Sequence, residues 1–269
     1  YKLYHMQKIL SKTALIKSHL KYGSTKEDII KRNEYENILE SVVIAPWWDH
    51  SIFENSNVKI DKVNDKIYNI YGENFEFSFI ELKLVGSPVI LDQALSLGTT
   101  KCKNILFIGS VGALDENINL GDIVIPEYSI CGEGASRYLN DNLEDEFGKK
   151  EYPSKEFTER LLNIVNEQNN IKYHYVPNYT VDTIFTEYIH IDKIINMGAK
   201  TIEMETSALF KANKLLNMNV TALFLVSDNT IINKSLYSGR TKEEKEYRKK
   251  VKNEVIPNII IELFRKEDF

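Results

Sequence analysis

Three stretches of this sequence carry residue types that could do chemistry at useful spacing. Glu205 follows Met204 and opens a segment whose Met204, Ala208, Ala212 and Leu215 fall on one helical face. An ionised carboxylate accepts two neighbouring hydroxyl donors at once through its two oxygens, which suits a sugar diol. The plain alternative is a carboxylate favoured at a helix N-terminus by the macrodipole. Asp228 follows the apolar run Val220 to Val226, and a partly buried acid at a strand end can hold its proton long enough to donate it. Its plain alternative is an Asx turn closing the strand. Gly109-Ser110-Val111-Gly112 directly follows another apolar run and offers a hydroxyl and backbone N–H groups to an anion.

These residues need a scaffold, and the apolar patterning points to an α/β protein. Ser41 to Pro46 is a continuous apolar run closed by proline, and strands are expected also at Phe75 to Leu84, Asn104 to Ile108, Gly121 to Pro126, Tyr173 to Thr183 and Val220 to Val226. Gly109 to Ala113 is expected to be a small-residue turn, and Cys131 to Ser136 a loop. Helices are expected at Val89 to Leu97, Lys155 to Gln168 and Tyr188 to Met197, after Glu205, and from Lys242 to Phe264. The first forty residues predict two short helices, one carrying Ile9, Ala14, Leu15 and Ile16 and one with Ser24 able to cap Lys26-Glu27-Asp28. Asn140 to Lys150 is polar and acidic, the composition of a surface excursion. The expected organisation is a helical extension over residues 1–40 and one domain over 41–269.

Composition narrows the function classes. The formal charge is −5 and the isoelectric point about 5.7, which disfavours a phosphate-backbone partner, so no nucleic acid is expected. Cys102 and Cys131 are too few for a disulfide framework and lack metal-site spacing, so no metal is expected. No apolar run reaches the ~18 residues of a membrane span, and Tyr1-Lys2-Leu3-Tyr4-His5 shows no secretory apolar region. The expectation is a cytoplasmic chain without a membrane partner.

Six segments in unbroken order carry a likeness to a known family. They are Ile105 to Leu114 (ILFIGSVGAL), Leu120 to Pro126 (LGDIVIP), Gly132 to Ser136 (GEGAS), Val181 to Phe185 (VDTIF), Ile202 to Phe210 (IEMETSALF) and Val226 to Asn229 (VSDN). In this order they resemble the purine nucleoside and uridine phosphorylases, a superfamily that includes the methylthioadenosine/S-adenosylhomocysteine nucleosidases. The resemblance implies a three-layer nucleoside phosphorylase-like fold with a central mixed β-sheet flanked by helices. It implies cleavage of the N-glycosidic bond of a purine or uridine-like nucleoside by phosphate, giving free base and pentose 1-phosphate. Glu205 would then bind the ribose hydroxyls, with Met204 against the sugar and Glu203 nearby. Phe185 would stack on the base, Asp228 would be the general acid with Arg240 assisting, and Gly109 and Ser110 would contact phosphate. The family implies no cofactor beyond phosphate as co-substrate, and a homo-oligomer, whether dimer, trimer or hexamer.

Two departures bear on the nucleophile. Phe107 stands where the phosphorylases carry an arginine, and Pro46-Trp47-Trp48-Asp49-His50 replaces their glycine- and arginine-containing loop. Phosphate needs charged donors, which Phe107 cannot supply. Three readings follow: other cations such as Lys83 or Arg137 hold phosphate; water attacks with Asp49 or His50 as general base; or a nucleoside is bound without cleavage. Trp47 and Trp48 would be a pocket wall or a subunit contact.

Overall fold

The computed structural model describes residues 12–32, 35, 37–168 and 171–266. Ile9 of the first expected helix lies outside them. The helices are α1 (Lys12–Lys21), α2 (Lys26–Arg32), α3 (Ser87–Leu97), α4 (Lys155–Asn166), α5 (Ile184–Glu187), α6 (Ile191–Asn196), α7 (Thr206–Leu216), α8 (Lys242–Lys250) and α9 (Ile256–Phe264). The strands are β1 (Ser41–Pro46), β2 (Lys59–Lys62), β3 (Ile67–Gly72), β4 (Phe75–Leu82), β5 (Asn104–Ala113), β6 (Ile123–Gly132), β7 (Lys150–Glu151), β8 (Tyr173–Val181), β9 (Thr201–Glu203) and β10 (Asn219–Asn229).

These strands form one mixed sheet in the order β10-β6-β8-β9-β5-β1-β4-β3-β2, with β7 on β6. β10 also pairs with β5 in parallel register, so β5, β10, β6, β8 and β9 close into a ring. The period-2 alternation of strand side chains explains the three layers. Val42, Ile44, Ile105, Phe107, Val220, Ala222 and Phe224 face α3 and α7 in one core. Val43, Ala45, Leu106, Ile108, Leu223 and Leu225 face the other way into a core with α4 and α9. Both faces are apolar, so the central strands read as unbroken apolar runs. The expected α/β class and central mixed sheet flanked by helices are borne out.

Several local expectations are corrected. Gly109 to Ala113 is the second half of β5, held in register against Phe224 to Asn229 of β10, with a bulge between Val226 and Asp228. Small residues read as a turn, yet ladder pairing on a neighbouring long strand outweighs that weak propensity. Asp228 accordingly lies within β10 rather than after it. Cys131 and Gly132 likewise end β6, and the segment Tyr188 to Met197 is broken, with α6 starting only at Ile191. Thr25, not Ser24, closes the start of α2, its hydroxyl accepting from Asp28 N while Asp28 accepts from Thr25 N. The strands β2, β3 and β9 escaped the apolar pattern because β2 is polar, β3 breaks its apolar residues Ile67 and Ile70 with Tyr68 and Asn69, and β9 is three residues long. In the Asn140 to Lys150 excursion, Glu146 is buried and ion-paired to Lys211 at 2.6 Å.

The closing helix runs as expected from Lys242 to Phe264, but through a π-helical turn at Val251–Val255. Pro257 lies just beyond, without an N–H for the regular ladder, and the wider turn absorbs the mismatch. Glu244 and Thr241 form a capping box at the start of α8. The end of this helix segment reaches the site.

Candidate active site

A cavity of about 330 Å³ opens at the carboxyl ends of β1, β5 and β10, the region where α/β sheets place ligands. Its lining includes Met204 and Glu205, Ile184, Glu187, Tyr188 and Asp228, and Phe107, Gly109, Ser110 and Phe224.

Glu205 sits at the N-cap of α7 and is buried. Its Oε1 accepts the Gly86 N–H at 2.6 Å and its Oε2 the Met204 N–H at 3.2 Å. Gly86 has φ +106, a conformation suited to glycine, and this backbone aims its N–H at the carboxylate. Burial, then the charge of Glu203, pushes the Glu205 carboxyl up to about 8. Glu203 also lines the cavity but is saturated internally. Its Oε1 accepts from Asn178 Nδ2 at 2.7 Å, Thr180 Oγ1 at 2.6 Å and Thr206 Oγ1 at 2.8 Å. Its Oε2 accepts the Glu205 and Thr206 N–H groups at 2.7 and 2.8 Å. Glu203 therefore caps the start of α7 and fixes Glu205, leaving its neighbour to meet a ligand.

Asp228 is 8% exposed, and its Oδ1 accepts the Ser227 hydroxyl at 2.5 Å. Burial raises its carboxyl, opposed by the Ser227 hydrogen bond and by the charges of Arg240 and Arg248. Gly112 makes room for it: a Cβ there would lie 3.2 Å from both Asp228 Oδ2 and Ile202 Cγ2. Arg240 donates from Nη1 to the Ser227 carbonyl at 3.3 Å and from Nη2 to the Leu236 carbonyl, behind Asp228. Its Nε is buried without a hydrogen-bond partner.

Ser110 presents its hydroxyl to the cavity from the β5–β10 ladder rather than from an anion-binding turn. Arg248 Nη2 of α8 donates to Ser110 Oγ at 2.6 Å, and the Arg248 Nε is buried and unpartnered. Lys252, one turn on, lies 4.7 Å over the Trp48 ring. Phe107 is buried against Phe224 with ring centroids 5.8 Å apart and brings no charge.

Of the residues expected from the sequence, Met204, Glu205, Glu203, Asp228, Gly109 and Ser110 are gathered around one cavity, with Arg240 beside Asp228. Phe185 is not brought there and is 85% exposed. The one-turn helix α5 directs Ile184, Glu187 and Tyr188 to the cavity at i, i+3 and i+4 spacing, which turns Phe185 outward. Asn229 is occupied by the carbonyls of Asp115 and Ile118 and by the Ile231 N–H. Lys83 is exposed outside the cavity, and Arg137 faces Asp145 on the surface. Asp49 caps a 3₁₀ turn by accepting the Ser51 N–H at 2.9 Å. His50 pairs with Glu81 at 2.6 Å and stacks on Tyr68 at 3.8 Å. Neither lines the cavity, whereas Trp47 and Trp48 do. Among the described residues, no group of three His, Cys, Asp or Glu side chains could hold a metal. Two residues went unread in the sequence: Arg248 looks like one of many charges on a solvated helix, and Glu187 only the i+3 spacing from Ile184 could have flagged.

Comparison with known proteins bears on the fold and the family. The curated purine nucleoside phosphorylase DeoD-type of Bacillus velezensis is 25% identical over 133 residues, 48% of this chain and 53% of that protein. The match thus spans about half the length of that relative. The crystal structure of uridine phosphorylase from Vibrio fischeri superposes with a TM-score of 0.70 at 17% identity, covering 86% of this chain and 94% of that one. AMP nucleosidase from Bacteroides thetaiotaomicron gives 0.60 at 19% identity, covering 91% and 98%. The family model described as Phosphorylase superfamily matches residues 86–258, which include β5, Glu205, Asp228 and Arg248, and on that match the chain belongs to the phosphorylase superfamily.

Proposed function

We propose that this chain is a nucleoside phosphorylase that cleaves the N-glycosidic bond of a purine nucleoside with phosphate, giving free base and pentose 1-phosphate. The observation that carries this reading is the Ser110–Arg248 pair at the cavity wall, with a charged donor where Phe107 supplies none. Two guanidinium groups, each with a buried Nε lacking a partner, lie near Asp228 and suit a dianionic oxyanion. Asp49 and His50 do not line the cavity and are engaged with Ser51 and Glu81, which weighs against activated water. The names of the Bacillus and Bacteroides proteins support a purine substrate.

In this mechanism the ionised Glu205 accepts two ribose hydroxyls, and Met204 packs against the sugar. Phosphate, held by Ser110 and Arg248, attacks C1′ as the C1′–N bond breaks. The bonding electrons pass to the base, and protonated Asp228 gives its proton to a base nitrogen, stabilised as a carboxylate by Arg240. Phosphate and nucleoside are the only reactants, with no further cofactor. A cytoplasmic homo-oligomer working in purine salvage, with residues 1–40 as an appendage to a catalytic domain over 41–269, completes the proposal.

The test is base release from a nucleoside panel by purified protein, with and without phosphate. Release that requires phosphate is the expected result. Release in phosphate-free buffer assigns hydrolysis instead, and saturable binding with no release assigns a binding protein.

A further inference from the structure

One carboxyl in the cavity has no part in the reaction above. Glu187 is 8% exposed, lines the cavity from α5, and is close enough to Asp228 to feel its charge. Among the described residues nothing hydrogen-bonds its carboxyl, and burial followed by Asp228 pushes it up to about 7. Beside it, the Tyr188 hydroxyl is buried without a hydrogen-bond partner. The Thr230 side chain approaches that phenol closely enough to favour its ionisation, short of hydrogen-bond geometry. Burying such groups unpaired destabilises a fold, so their retention at a cavity wall points to a ligand that completes them.

We infer that Glu187 is the specificity-determining residue of this cavity, accepting a hydrogen bond from an exocyclic amino group of the base. The inference rests on the nucleoside-cleaving reading and names its substrate class as 6-aminopurine nucleosides. With Asp228 at the ring nitrogen that is protonated, the neighbouring carboxyl meets the substituent on the adjacent six-membered ring. Glu187 and the oxygen of the Tyr188 hydroxyl supply hydrogen-bond acceptors at this part of the cavity wall. An amino group gives these oxygens two N–H donors, whereas an oxo group sets lone pairs against lone pairs.

The experiment compares kcat/KM for adenosine, inosine and purine riboside, at saturating phosphate; adenosine and inosine differ at C6 and in the hydrogen on N1, and purine riboside lacks the C6 substituent while keeping the bare N1 of adenosine. Wild type, Glu187→Gln and Glu187→Leu are measured alongside their thermal unfolding and the calorimetric Kd of free adenine and hypoxanthine. Wild type is expected to favour adenosine by about tenfold or more. Both variants are expected to lose most of that preference with Tm unchanged or raised, because an unpaired buried carboxyl is removed. An unchanged adenosine-to-inosine ratio overturns the inference while cleavage of both leaves the proposed reaction standing. If wild type releases no base from any nucleoside, the reaction falls, and the adenine-to-hypoxanthine Kd ratio decides alone: equal ratios in wild type and Glu187→Gln overturn the role of Glu187. A variant that fails to fold is replaced by Tyr188→Phe, whose unchanged ratios count against the amino-selective wall.

Discussion

Arg248 Nη2 lies 2.6 Å from Ser110 Oγ, joining residues 138 positions apart at the wall of the cavity. The contact exists because β5 runs on through Ser110 against β10, and because α8 folds back over the same strand ends. A charged donor thus reaches Ser110 at the cavity, whose Phe107 brings no charge.

Arg248→Ala is expected to raise the KM for phosphate and lower kcat/KM by about 100-fold, the usual scale for losing a charged donor to a transition-state oxyanion. Arg248→Lys should recover only part of this, since lysine lacks the planar fork. Initial rates across a phosphate series check both. Unchanged phosphate kinetics in Arg248→Ala would place the nucleophile elsewhere.

Glu205 links activity and stability to pH in opposite senses. With its carboxyl raised to about 8 in the free protein, the ionised form that accepts sugar hydroxyls grows as pH rises, so kcat/KM should climb through that range until Asp228 loses its proton. Stability runs the other way. A carboxyl raised on folding binds its proton more tightly in the folded state, so its contribution is complete below about 4.5 and is lost as pH rises to about 8. Glu205→Gln should therefore melt higher than wild type near pH 8 while losing about 2–3 kcal/mol of transition-state stabilisation. Paired melting curves and kinetics at pH 5 and pH 8 test it.

Gly112→Ala is expected to reduce turnover more than stability. The added methyl meets Asp228 Oδ2 and Ile202 Cγ2 at 3.2 Å, so the acid must shift by a few tenths of an ångström. A loss of about tenfold in kcat with a small change in Tm is the expected pattern. Asp228→Asn should cost about 100-fold or more with purine nucleosides, and less with substrates whose leaving group needs no proton. An equal loss for both substrate types would remove Asp228 from proton transfer.

Glu203→Ala is expected to destabilise the fold by about 3 kcal/mol or more, since it strips partners from Asn178, Thr180 and Thr206 and from two N–H groups at the start of α7. Denaturant unfolding measures this. Stability within a few tenths of a kcal/mol of wild type would argue against its capping role.

The sequence by itself determined the family, the α/β class and the core strands, because apolar runs and ordered motifs are local in the chain. Glu205, Asp228 and Ser110 were legible for the same reason. Tertiary structure alone decided where each sits and what it contacts. Glu203 and Glu205 look alike in the string, but five hydrogen bonds consume Glu203 and leave Glu205 facing the cavity. Gly109 to Ala113 read as a turn until β10 supplied the ladder that extends it. Phe185 looked like a base-stacking ring until α5 turned it to solvent and brought Glu187 inward. Arg248 was invisible among the charges of α8, since a cation's partner is fixed by how distant elements pack and not by its neighbours in sequence.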